Sequence, residues 1–330
     1  MQKVHHIIGA DLSKETIDLF CQPTKTYLKI KNNPQGFKAL LTWLRQERIN
    51  CFELMIVMEH TGLYSFCFEE FLHKHQIAFC KVNALVIKRS MGIVRGKSDR
   101  VDARRIASYG FEKRDRLSAE PATSKELKRL QLLFSTRERF VKQKASLINA
   151  VKEYSHIGLS KNDAILRSQQ RLIKHFAKEI GKLEAEMDMI FNSDPLLQKN
   201  YQLLQSIKGV GKVVSTATII KTKNFTRFAN GRKFACFSGT APFEHTSGTS
   251  IRGRTRVSHL ADKEMKTLLD LAAKSAIQYD KELRKYYLKR IESGKSKKST
   301  RNIVRNKIIY RMFAVVKRQT PFIENYLQTA

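Results

Sequence analysis

The first eighty residues alternate between short apolar runs and polar breaks. Val4 to Ala10 is mainly apolar and ends at Asp11, and Thr16 to Phe20 follows the turn-like Leu12-Ser13-Lys14-Glu15, so two strands are predicted. Tyr27 to Ile30 reads as a third. Asn33-Pro34-Gln35-Gly36 then breaks the pattern and starts a helix through Phe37, Leu40, Leu41 and Leu44, whose spacing of three and four makes one apolar stripe. Glu53 to Met58 reads as a buried strand ending at Glu59, with a helical stretch from Tyr64 to His75 and a strand from Ile77 to Val82 behind it. Strands interleaved with helices predict an α/β layer architecture.

Beyond Lys97 the pattern changes to long helices. Lys125 to Tyr154 and Ala164 to Phe191 carry apolar residues at helical spacing with dense charges between. Separated by the break His156 to Ser160, they predict an antiparallel hairpin or coiled coil serving as spacer or oligomerisation arm. Asp194-Pro195 stops it, a third region opens near Leu203, and helices dominate again from Leu260. Ser293 to Ser299 reads as a basic loop, with Lys295 to Arg301 a flexible run suited to phosphate backbone. Three segments are expected: 1–120, 121–197 and 198–330.

Charge narrows the function. Of 330 residues, 62 are Lys or Arg and 30 Asp or Glu, a formal charge of +32. The excess is +4 over residues 1–90, +9 over 91–200 and +19 over 201–330, so the distal part carries most of it. Such a surplus repels itself unless a polyanion neutralises it, and nucleic acid is expected over an anionic membrane, since no Lys/Arg face opposite a Trp/Phe/Leu face stands out in the sequence. No apolar run approaches the roughly 18 residues needed to span a bilayer, and no secretion signal is read at the N-terminus. Five cysteines without a C-x-x-C pair write neither a disulfide framework nor a zinc ribbon, and are expected as buried thiols in a reducing, intracellular setting.

Four carboxylates stand where chemistry is expected. Asp11 and Glu59 each end an apolar strand, and Asp99 and Asp102, three apart at the start of a helix, share one face. Strand ends converge on one edge of a sheet, where a helix can project two more carboxylates. Hard oxygen donors in such a nest suit Mg²⁺ and phosphoryl transfer. The order of a strand-end Asp, a strand-end Glu and then D-x-x-D matches an RNase H-like nuclease layout. Singly, each has an ordinary use as turn former, helix first-turn residue or solvated side chain.

At Ile7-Ile8-Gly9-Ala10-Asp11-Leu12-Ser13-Lys14-Glu15, Met58-Glu59-His60-Thr61-Gly62-Leu63-Tyr64 and Lys97-Ser98-Asp99-Arg100-Val101-Asp102-Ala103, the chain resembles DEDD transposases of the insertion-sequence "one-ten" family. Downstream, Gln205-Ser206-Ile207-Lys208-Gly209-Val210-Gly211 resembles that family's helix-hairpin-helix-like opening of the transposase domain. Phe237 to Pro242 and Thr246-Ser247-Gly248-Thr249-Ser250-Ile251-Arg252-Gly253 resemble the segment bearing its serine nucleophile. His60 stands where Ala is common, and Ala84 follows Asn83 where Pro is often found. The resemblance implies an RNase H-like (RuvC-like) N-terminal domain, a coiled-coil spacer and a mainly α-helical C-terminal transposase domain.

It further implies Mg²⁺ held by Asp11, Glu59, Asp99 and Asp102, and Ser247 as nucleophile in a covalent serine–DNA link. A structured non-coding bridge RNA would choose donor and target double-stranded DNA. A homodimer or dimer of dimers, cytoplasmic and associated with the nucleoid of a prokaryote, is expected. Nucleic-acid contacts are expected at Lys97, at Lys208, Gly209, Gly211 and Lys212, and at Arg252, Arg254 and Arg256, which supply forked or point charges near Ser247. Gly209-Val210-Gly211 also suits a tight interhelical turn without ligand. Three other readings compete: a RuvC-type nuclease hydrolysing branched DNA, a sugar kinase or actin-like ATPase on the strength of Gly9-x-Asp11, and a non-catalytic scaffold.

Overall fold

The computed structural model describes residues 4–60, 62–91, 96, 98–247 and 251–324; the side chains of residues 245–247, 251, 252 and 254 lie outside that description. The chain divides into two compact units, Met1–Ala122 and Thr123–Ala330.

In the first unit, β1 (His6–Leu12), β2 (Thr16–Gln22) and β3 (Tyr27–Lys31) form a meander. Next come α1 (Pro34–Gln46), β4 (Leu54–Glu59), α2 (Phe66–Lys74), β5 (Ala78–Val82), α3 (Ala84–Ser90) and α4 (Asp99–Glu112). The sheet order is β3-β2-β1-β4-β5, with β1, β4 and β5 parallel and β2 alone running against its neighbours. Asn33 caps α1 by accepting from the Gly36 N–H at 2.9 Å, and Pro34 takes the first turn, where a missing N–H costs nothing.

Strand alternation sorts side chains into two layers. Ile8, Ala10, Ile17, Leu19, Ile56 and Met58 face α1 and α2, where Phe37, Leu40, Leu44, Phe68 and Leu72 complete a closed core. Each such side chain, fully buried, contributes roughly 1.5–3 kcal/mol. On the other face Ile7, Met55 and Val57 meet Ile106 of α4, and Phe20 meets Ala103 and Ala107. Here the helix comes unusually close. A Cβ at Gly9 would lie 2.2 Å from the Ala103 carbonyl oxygen and the Ala107 nitrogen, and one at Gly110 would lie 2.7 Å from methyls of Ile7 and Val57.

The second unit holds α5 (Lys125–His156), α6 (Ala164–Ser193), α7 (Pro195–Gln205), α8 (Lys212–Thr222), α9 (Gly231–Phe237), β6 (Pro242–Ser247), β7 (Ile251–Val257), α10 (Lys263–Tyr279), α11 (Lys281–Glu292) and α12 (Lys297–Arg318). Helices α5 and α6 form an antiparallel hairpin, tied by Arg137 to Glu184 at 2.8 Å and by Phe140 against Phe176 at 5.5 Å between ring centres. Asp194 ends it by capping α7, accepting from the Leu196 and Leu197 N–H groups. The root of the hairpin shares one core with the distal helices: Leu130, Phe134, Met187 and Phe191 join Leu204, Leu269, Ile308 and Met312.

Three expectations are revised. A β6–β7 hairpin stands where Gly, Ser, Thr and Arg carry no apolar alternation to predict one. The basic run from Lys297 onward opens α12 instead of forming a loop, with Thr300 buried and Arg301 2.8 Å from Asp270. Of the cysteines, Cys21 and Cys80 are buried but Cys67 is exposed. Among the described residues no helix is long and apolar enough to cross a membrane.

Because backbone cannot give way as a side chain can, Gly9→Ala should lower the stability of the first unit by about 1–3 kcal/mol. Gly181→Ala, in an open position on α6, should instead raise that of the second unit by ~1 kcal/mol. Urea denaturation followed by a probe in each unit measures both, and a Gly9→Ala protein as stable as the parent would refute the close approach.

Candidate functional site

The α4-facing side of the sheet carries acids at its edge. Asp11 is the penultimate residue of β1 and, two steps beyond Gly9, shares its face. Glu59 ends β4 and shares the face of Met55 and Val57. Parallel strands bring both to the same end of the sheet. Ser98 caps α4, its hydroxyl accepting from the Val101 N–H at 3.4 Å, so Asp99 and Asp102 fall in the first turn, where the helix dipole favours negative charge.

A fifth carboxylate, which no local motif marks, joins them. Asp18 on β2 sits directly across from Asp11 in the β1–β2 register and is only 2% exposed. Burial and then the charges of Asp102, Asp99, Glu59 and Asp18 push the Asp11 carboxyl up to about 6. Burial, followed by Asp102, also raises Glu59 above the usual carboxylate range. Glu59, Asp99 and Asp102 are thus each close enough to act on Asp11, and Asp102 on Glu59.

Organic cations offset part of that repulsion. Lys29, opposite Asp18 in the β2–β3 register, places its Nζ 3.3 Å from Asp18 and 3.7 Å from Asp99. Arg105 lies 2.7 Å from Asp102 and donates to the Gly96 carbonyl at 2.8 Å. The Tyr27 hydroxyl donates to Asp18, and burial together with that bond pushes the phenol up to about 12. Arg100 lies over the Tyr27 ring at 4.8 Å. Register across three strands, invisible in any local motif, assembles this group.

Oxygen donors of this kind suit a divalent ion chemically. Among the described residues, however, no three His, Cys, Asp or Glu side chains stand close enough together to hold one ion. The two α4 carboxylates instead point to Lys29 and Arg105.

The distal candidates divide. Ser247 closes β6 and pairs with Ile251. Its side chain, those of Arg252 and Arg254, and all of Lys97 and Gly248 lie outside the described residues. Arg256 is exposed on β7. Gly209 adopts φ 91°, and a Cβ there would lie 2.5 Å from the Ala272 carbonyl oxygen, so packing against α10 already demands glycine. Gly211 caps α8. Lys208 pairs with Glu324 at 2.8 Å and Lys212 with Asp188 at 2.9 Å.

Residues 8–154 match a transposase family of the DEDD, IS110 type, and residues 201–288 match the Transposase IS116/IS110/IS902 family. The first span contains all four expected carboxylates and the second contains Ser247. The chain is 27% identical to the pilin gene-inverting proteins of Moraxella bovis and Moraxella lacunata, over 96% of its own length and 97% of theirs. A putative transposase of Sinorhizobium fredii is 22% identical over 56% of this chain and 52% of its own.

The raised Asp11 gives a pH test. Between about pH 4 and 6 the folded state binds the Asp11 proton more tightly than the unfolded chain, so stability falls as pH rises through that window and stays lowered above it. Asp11→Asn should therefore stabilise the metal-free protein at pH 7 by about 1 kcal/mol, a figure that allows for solvent screening, and should give no advantage below pH 4. Urea titrations at pH 4 to 7 read this, and equal gains at every pH would contradict the mutual repulsion.

Proposed function

We propose, for a chain that carries transposase domains of the IS110/IS116 kind and is a DNA transposase or recombinase enzyme, that it cuts and rejoins DNA strands through a serine–DNA intermediate. The observation that carries the reading is the gathering of Asp11, Glu59, Asp99 and Asp102 at one sheet edge, near enough for the last three to raise the first. The sheet supports an RNase H-like assignment for the first unit, since its parallel central strands β1 and β4 deliver Asp11 and Glu59 to the same end.

Asp11, Glu59, Asp99 and Asp102 would hold Mg²⁺ once Asp99 and Asp102 turn from Lys29 and Arg105 toward the other two. When bound, the ion would help deprotonate an attacking hydroxyl and stabilise charge on the leaving oxygen. Before it binds, Lys29 and Arg105 keep Asp99 and Asp102 compensated at the mouth of the site. The Ser247 Oγ attacks phosphorus, the P–O bond to the 3′ carbon's oxygen breaks, and the strand is held as a 5′-phosphoserine ester. Attack on that ester by the 3′-hydroxyl of a new strand returns the serine. Bond energy is kept, whereas hydrolysis would lose it to water. Relatives named for inverting a gene favour this over simple hydrolysis, because an inverted segment must be resealed.

Site choice falls to a structured non-coding bridge RNA paired with donor and target DNA. Strand exchange needs two active centres, supplied by a homodimer or dimer of dimers acting in the cytoplasm, at the nucleoid. Arg252, Arg254 and Arg256 would steady the phosphate beside Ser247, Lys97 would contact DNA beside the carboxylates, and Lys208, Gly209, Gly211 and Lys212 would meet nucleic-acid backbone.

Ser247→Ala should abolish both the protein–DNA adduct and strand transfer, and Asp11→Ala, Glu59→Ala, Asp99→Ala or Asp102→Ala should do the same while RNA binding persists. Denaturing gels on a labelled junction substrate resolve the adduct. If Ser247→Ala still nicks DNA in Mg²⁺, the protein is a RuvC-type nuclease and the serine chemistry is wrong. Recombination indifferent to added RNA would remove the guide.

A further inference from the structure

The first half of α6 carries a dense basic face, flanked by Asp163 at its start and Glu179 at its end. From Ala164 to Lys178 there is no acidic residue. Arg167, Arg171, Lys174 and Lys178 are spaced four, three and four apart, which at 100° per residue places them within an arc of about 60°. All four are exposed. The arc lies on the far side of the helix from Phe176, which meets Phe140 of α5, and from buried Ile180. Among the described residues none of these four cations is in an ion pair, whereas Lys182, further along, is taken by Glu179 at 2.7 Å. Arg167, Gln170, Arg171 and Lys174 also line a concavity of about 420 Å³.

Four like charges on one short face repel one another and weaken the helix unless something neutralises them. Arg129 pairs with Glu186 and Lys212 with Asp188, whereas none of these four cations stands in such a pair among the described residues. From Arg167 to Lys178 the stripe runs about 16 Å, the axial rise of roughly five successive phosphates on one DNA strand. A helix with one row of charges suits a phosphodiester backbone, and carries no array for reading bases.

We propose that the α6 face of the hairpin is a docking surface for duplex DNA, so that the hairpin holds substrate in addition to joining the parts of the chain. This rests on the enzyme's acting on DNA and not on the carboxylate or serine chemistry. Binding here is independent of sequence and driven by counter-ion release.

The test measures duplex affinity of the full-length protein by fluorescence anisotropy across a KCl series. Replacing Arg167, Arg171, Lys174 and Lys178 together by Gln should weaken binding at least about tenfold and reduce the slope of log K against log salt by about 3. Lys174→Glu alone should weaken binding, and Lys174→Arg should restore it, which keeps the result readable if the fourfold variant folds poorly. Ser247→Ala provides the separating control: it should bind DNA with the parental slope even where it fails to cleave. An unchanged DNA slope in the fourfold variant overturns the proposal. So does loss confined to a structured RNA tested in parallel, which would give the face to RNA, or loss of self-association alone, which would make it a contact between copies.

Discussion

Helix α4 lies with its own backbone against that of β1, and the acidic edge depends on that approach. Only glycine at position 9 leaves room for the Ala103 carbonyl and the Ala107 nitrogen. Ala103 and Ala107, the residues that face the strand, are themselves as small as a side chain can be while keeping the helix. With the axis fixed this close, the first turn of α4 overhangs the end of β1, Asp99 and Asp102 come into range of Asp11, and Asp102 comes into range of Glu59. A wider gap would leave the same four residues as separate surface acids.

The crowding has a cost that the surroundings only partly offset. Lys29 serves Asp18 and Asp99 at once, and Arg105 serves Asp102, yet Asp11 keeps a carboxyl raised to about 6. Buried Asp18 is tolerable because it receives the Tyr27 hydroxyl and the Lys29 ammonium together. The first unit therefore holds a strong preference for positive charge at one place, built from strand register and helix position.

Much of this was legible locally. Strand ends, the Asn33-Pro34 helix start, the Asp194-Pro195 stop and the D-x-x-D turn are written in a few consecutive residues, and the structure puts elements there. What escaped depends on distant partners. Asp18 and Lys29 look like ordinary strand polar residues until the registers Asp11 to Asp18 and Asp18 to Lys29 are known. The β6–β7 hairpin lacks the alternation that marks a strand with one buried face. At Gly209 the sequence left a phosphate turn and an interhelical turn open; the approach to Ala272 accounts for glycine there without any ligand.

The way α5 and α6 are anchored has a mechanical consequence. Their roots are embedded with α7, α10 and α12 in one core, while from Phe134 to His156 the helix extends about 33 Å with few buried side chains. The pair is a cantilever. Each degree of tilt at the clamped end moves the free end by about 0.6 Å. A tilt of about five degrees from repacking around Phe134 and Phe191 would thereby carry the tip about 3 Å, and a load borne at the tip would return to that core as torque.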